Sequence, residues 1–157
     1  VAPALAQGEP ARVGFVRLDR ILRDAAPAQR AQKKIEAEFA KRDQELGRSE
    51  QDLKKRQDAL EKNAVTMSEA DRRNREREFN EMSREFQRKR REFQEDLNSR
   101  RNEELSGVLE RANAAVKRIA ETEKFDIVFQ DAVWASPRID ITDRVIRALD
   151  DSRPAGK

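Results

Sequence analysis

The sequence contains no cysteine, no histidine and no tyrosine, and only five glycines, five prolines and one tryptophan. Without cysteine no disulfide can form, so any oligomer must hold by packing. The absence fits any redox compartment. Without His or Cys there is no imidazole base, thiol nucleophile, zinc finger or iron–sulfur cluster. Gly8, Gly14, Gly47, Gly107 and Gly156 are widely spaced, which excludes a Gly-rich phosphate loop. No apolar run approaches the roughly 18 residues of a membrane span. Hydrophobic residues are scarce too, at 36% against 41% charged. An ordinary globule has about a quarter of its residues charged and nearly half apolar.

What is present is charge of both signs. In 157 residues, 34 Lys and Arg face 31 Asp and Glu, for a net charge of +3. Such a chain is either disordered or built of long helices with solvated faces. Position decides between these. Residues 30–124 hold most of the charge and no proline, whereas the flanking segments have ordinary mixed composition. The pattern predicts one small domain made from both ends with a long insertion between them.

At the start, Val1–Gln7 is small, apolar and uncharged, and Ala4-Leu5-Ala6 matches a signal-peptidase site with cleavage before Gln7. Residues 1–11 therefore read as a signal remnant and flexible N-terminus. Residues 12–27 and 106–150 read as the composite domain, residues 28–105 as the inserted arm, and residues 151–157 as a flexible C-terminus.

Val13–Val16 reads as a short strand, and Pro27 sits near a helix start. The helical pattern runs from about Ala28 to Val65. Ser68-Glu69-Ala70-Asp71 resembles a capping box, so the turn is placed at residues 66–69 and a second helix runs from Glu69 to about Glu123. Phe125–Phe129 and Ala132–Ala135 read as strands and Arg138–Ile141 as extended. Thr142 is a cap for a last helix, Asp143–Leu149. Gly107 marks a bend or a close approach.

Inside the charged zone Phe39, Leu46, Leu53, Leu60 and Met67 repeat at seven, with Ile35 four before the first. The companion positions Arg42, Ser49, Arg56 and Asn63 are polar. On the second helix Phe79, Phe86 and Phe93 repeat at seven, with Met82 and Leu97 beside them. Sustained heptads indicate a coiled coil. Folding about Ser68 sets Leu60 against Phe79, Leu53 against Phe86 and Leu46 against Phe93. This predicts an antiparallel hairpin with a thin, solvated seam that opens easily. Around and after Gly107, Leu105, Val108, Leu109, Ala112, Val116 and Ile119 form a broader apolar face. Val13, Phe15, Ile127, Val128, Phe129, Trp134, Ile139 and Ile141 are expected to pack on it. A core of this size is marginal alone, so these eight are assigned to an oligomer core.

The ends carry a family pattern. Val13-Gly14-Phe15-Val16-Arg17-Leu18-Asp19-Arg20-Ile21-Leu22 resembles the first strand and following turn of the Skp or OmpH chaperones. Ala31-Gln32-Lys33-Lys34-Ile35-Glu36-Ala37-Glu38-Phe39 resembles the start of their outgoing arm. Thr122-Glu123-Lys124-Phe125-Asp126-Ile127-Val128-Phe129 resembles the end of the return helix and the next strand. Ile139-Asp140-Ile141-Thr142-Asp143-Arg144-Val145-Ile146 resembles their closing signature. The resemblance covers about residues 12–149. It implies an α+β fold: a small β-rich trimerisation body with a long antiparallel α-helical coiled-coil hairpin inserted. It further implies a periplasmic homotrimer that encloses unfolded outer-membrane proteins between its arms. The resemblance implies neither ATP nor a cofactor. Some members are linked to lipopolysaccharide, but no distinctive motif for it is present here.

Basic clusters on the return arm offer sites for acidic client segments or anionic lipid, including lipopolysaccharide. They comprise Arg72, Arg73, Arg77, Arg88, Lys89, Arg90, Arg91, Arg100 and Arg101, with Arg75 beside them. The other reading of each is a solvated face balanced by Glu neighbours. An architectural coiled coil with one stoichiometric folded partner is the alternative function. Specific nucleic-acid binding is disfavoured, because acids interrupt the basic runs. Catalysis is disfavoured because the carboxylates lie mainly on wet helices, with no fixed cleft to tune them.

Overall fold

The computed structural model describes residues 8–152. The expected signal remnant at Ala4–Ala6 and most of the C-terminal tail lie outside the described residues. The element order is β1 (Val13–Phe15), α1 (Leu18–Asp24), α2 (Ala26–Asn63), α3 (Glu69–Thr122), β2 (Ile127–Phe129) and α4 (Thr142–Asp151). The chain divides into two compact units: residues up to Gln32 together with those from Glu103 onward, and Lys33–Asn102.

The first unit is assembled from the two ends. β1 and β2 pair in parallel, Val13 with Ile127, Gly14 with Val128 and Phe15 with Phe129. On its other side β1 meets the segment before α4. The Phe15 N–H donates to Ile139 O at 2.8 Å, and the Ile141 N–H donates to Phe15 O at 2.9 Å. Space is tight at Gly14: a Cβ would stand 3.3 Å from both the Phe125 ring and the Val128 side chain, which would have to shift slightly. Lys124 adopts φ 57°, the left-handed conformation that commonly ends a helix, and this turns the chain from α3 toward β2.

The core of this unit is Val16, Ile21, Ala25, Ala112, Ala115, Ile141, Val145 and Leu149. α4 carries Val145 and Leu149 four residues apart, so both face inward on one stripe. Polar contacts fix the helix ends. The Ala26 N–H donates to Asp150 Oδ1 at 2.7 Å, so α4 caps α2. The Arg17 N–H donates to Thr142 Oγ1 at 2.9 Å, which satisfies the one buried polar side chain of the core. Burial tends to raise the Asp140 carboxyl. Hydrogen bonds from Thr142, with the positive charge of Arg17 and Arg20, outweigh it and hold the group below the usual carboxylate range.

Several expectations need correction. Ala132–Ala135 is not a strand in this chain, and among the described residues the sheet has two three-residue strands. The unit is therefore mostly helical. Those four residues have no ladder partner, and a strand exists only by pairing. The short helix α1 replaces the expected turn, because Ile21 is buried in the core while Asp19 favours a first turn. Pro27 stops α1 from running on into α2, since it has no N–H to give to the Arg23 carbonyl, and the chain turns extended at Ala25. Thr142 is not the cap but the first helical residue. Asp140 Oδ1 instead accepts the Thr142 N–H at 2.9 Å. α4 runs on to Asp151. α3 is continuous through Gly107, and a Cβ there would meet nothing within 4 Å, so no close approach explains that glycine.

The second unit is the hairpin, Lys33–Asn102. α2 ends at Asn63, and Ser68 starts α3 as its sequence predicts. The Asp71 N–H donates to Ser68 Oγ at 3.2 Å, and the Ser68 hydroxyl donates to Asp71 Oδ2 at 2.7 Å. With 38 and 54 residues, the two helices are about 57 and 81 Å long at 1.5 Å per residue.

Candidate functional site

The hairpin offers a surface rather than a cleft. Its apolar stripe is never fully covered beyond Ile35, which is buried. Phe39, Leu46, Leu53, Leu60, Met67, Phe79, Met82, Phe86, Phe93 and Leu97 are all half-buried. The helices are tied across the seam by charged pairs. Arg100 Nε donates to Glu38 at 2.9 Å, Arg42 Nη1 to Asp96 at 2.8 Å, and Arg56 Nη1 lies 3.5 Å from Glu78. Hydrogen bonding from Arg100 holds the Glu38 carboxyl below its ordinary range.

Phe93 meets the Phe39 ring edge-on, at 5.5 Å between centroids. The Arg42 guanidinium lies 5.5 Å from the Phe39 ring and 5.6 Å from the Phe93 ring, so a cation fills the level between them. Leu46 and Phe93 line one groove with Arg42 and Ser49.

The nine basic residues singled out on the return arm divide in two. Arg72 pairs with Glu76, Arg73 with Glu69, Lys89 with Glu85, Arg100 with Glu38, and Arg88 with both Glu85 and Glu92. Hydrogen bonds from those two carboxylates hold the Arg88 guanidinium above its ordinary range. Arg77, Arg90, Arg91 and Arg101 form no ion pair among the described residues. The basic residues have a seven-residue period of their own. Arg77, Arg84 and Arg91 repeat at seven, each two residues before a seam Phe. Two helical steps of 100° place them on the face opposite the seam. Lys41, Arg48, Lys55 and Lys62 also repeat at seven on α2, each two residues after the seam residues Phe39, Leu46, Leu53 and Leu60, and so also lie opposite the seam. All seven side chains are exposed.

The eight residues assigned to an oligomer core also divide. Phe15 and Ile141 are buried inside this chain's own core, and Val13, Val128 and Ile139 are half-buried. Ile127 and Phe129 remain 45% and 47% exposed, and Trp134 is 79% exposed. Val133 beside it is fully exposed. Ile127 and Phe129 alternate with Val128 on β2, so they share one open face of the sheet.

Among the described residues, no cluster of acidic side chains could hold a metal ion, and no helix is long and apolar enough to cross a membrane. A search of curated proteins finds no match. A crystal structure of a candidate outer membrane chaperone (OmpH-like) from Caulobacter crescentus is similar. The TM-score is 0.73 and the identity 20%, over 95% of this chain and 86% of that one. At that identity the likeness concerns the fold. The family described as outer membrane protein (OmpH-like) matches residues 12–149, which takes in both units, and the chain belongs to this OmpH-like family.

Proposed function

We propose that this protein is a periplasmic holding chaperone that works without ATP. It encloses unfolded outer-membrane proteins between helical arms and keeps them from aggregating before membrane insertion. Family membership and the fold likeness support a chaperone role. The observation that carries the reading is the half-buried seam of Lys33–Asn102. A holder must offer modest apolar contact on a soluble, yielding wall, and release its client again. Ten seam residues partly open to water, edged by charge, meet that need. The reading assigns no catalysis and no cofactor.

In this reading residues 12–27 and 106–150 form the body of a homotrimer and residues 28–105 the arm. The open face of Ile127 and Phe129 and the exposed Trp134 are the surfaces that association would cover. Arg77, Arg90, Arg91 and Arg101 are the basic residues best placed to meet acidic client segments or anionic lipid. Their stems can also cover apolar surface.

The activity test is light scattering of an unfolded outer-membrane β-barrel diluted from denaturant, without nucleotide. A molar excess of this protein suppresses the scattering if the reading holds; undiminished aggregation overturns it. Sedimentation equilibrium tests the assembly, and a stable monomer at micromolar concentration overturns the trimer.

A further inference from the structure

Residues 130–138 form a loop pinned at both ends to the same strand. Before it, Phe129 O accepts the Val16 N–H at 2.8 Å; after it, Ile139 O accepts the Phe15 N–H at 2.8 Å. Ser136 and Pro137 hold the exit turn through bonds from Ile139 and Asp140. A loop anchored this way presents a fixed tip, and loops on rigid scaffolds commonly carry recognition. The tip here is Val133 and Trp134, the one 110% and the other 79% exposed. Two adjacent large apolar residues left in water on a pinned loop are a docking feature rather than scattered surface.

The same unit holds an open groove of about 300 Å³. Its floor is apolar, including Val16, Leu18, Ile21, Val116 and Val128. Its rim carries the polar side chains of Asn113, Lys117 and Gln130. Tryptophan suits such a site, because its ring needs apolar cover while its indole N–H needs an acceptor. The amide oxygens of Asn113 and Gln130 supply that chemistry. The chain cannot fill the groove with its own tryptophan while the loop is pinned as described. Gln130 lines the groove, yet the loop beyond it carries Trp134 out into solvent.

We propose that Trp134 of one copy seats in the groove floored by Val16, Ile21 and Val116 of the next copy. The inference rests on the self-association proposed above and names the contact that would make it. Knob and groove are different surfaces, so the contact is head-to-tail. Each copy then gives one tryptophan and receives one, and a three-fold rotation closes the ring. Val128 borders the groove from the face of β2 opposite to Ile127 and Phe129, so the groove is a surface separate from the open sheet face.

The test uses the full chain, whose single tryptophan in the absence of tyrosine makes its fluorescence unambiguous. Emission and acrylamide quenching are followed as the protein is diluted through dissociation, alongside sedimentation. The proposal expects blue-shifted, protected emission in the oligomer and red-shifted, quenchable emission after dissociation. Asn113→Arg, at an exposed rim position, should obstruct the groove and leave the emission red-shifted. Trp134→Ala should weaken association about thirty-fold or more, the loss usual for a buried tryptophan anchor. Circular dichroism checks that both variants fold. A trimer whose tryptophan stays quenchable overturns the inference and spares the trimer. Protection that Asn113→Arg leaves intact overturns the groove as the seat. A chain that stays monomeric overturns both.

Discussion

The two units each place apolar residues at regular helical spacing, yet only one makes a core. In the first, Ile21, Ile141 and Val145 are wholly buried and Leu149 nearly so. In the hairpin, ten residues of similar size stay half-exposed. The difference lies in the company they keep. The core side chains come from α1, α3, α4 and the segments beside β1, so cover arrives from several directions. Each seam side chain has one partner helix, and its companion positions hold Arg42, Ser49 and Arg56. A heptad with polar companions gives a line of contact, and water reaches both sides of a line.

The contrast can be broken most forcefully in the body. Ile141→Ala is expected to cost about 3 kcal/mol, because a fully enclosed side chain leaves a cavity. Urea denaturation followed by circular dichroism measures it, and a cost well below 1 kcal/mol would contradict the closed core. Phe93→Ala removes the edge-on pair with Phe39 and the stacking of Arg42. About 1–2 kcal/mol should be lost. Hydrogen exchange should quicken within residues 33–102 and stay unchanged at the β1–β2 amides. Equal acceleration in both units would show that they do not open separately.

Ser68→Ala should cost about 1 kcal/mol through loss of the cap, seen as faster exchange in the first turn of α3. Acidification is the mildest probe. The Glu38 carboxyl lies below its ordinary range in the folded chain. Its pairing with Arg100 thus stabilises the hairpin above the unfolded carboxylate pKa, and the effect fades as pH falls through the folded value. Thermal melts of the hairpin helices should drop modestly on acidification, and Glu38→Gln should reduce that drop. A variant with an unchanged pH response would remove this pair from the account.

Much of the helical layout was legible in the sequence because periodicity and capping are local. Phe39 to Met67 and Phe79 to Phe93 gave the two long helices, and Ser68 with Asp71 gave the turn to within a few residues. The exact partners were less legible. Arg42 reads as a flaw in an apolar seam, and only coordinates reveal it between two rings. The exposed state of Trp134 was hidden for a different reason. Apolar residues after a strand look like core, and the sequence alone does not say which chain will cover them. The lysines and arginines repeating at seven were there to be found, but a search for apolar periods passes over them.

The parallel pairing of β1 with β2 also sets a folding problem. Arg12 and Asp126, joined by a 2.6 Å hydrogen bond, stand 114 positions apart in sequence. Closing so long a loop from a free chain carries an entropic cost that grows with the logarithm of its length, and contacts that distant slow folding. A hairpin zipped outward from the turn after Asn63 changes the route. Each added turn of paired helix shortens the free chain still to be closed, until the two ends arrive almost as neighbours. The hairpin then guides the pairing of β1 with β2. The tiny sheet can form last, once the long helices have done the searching.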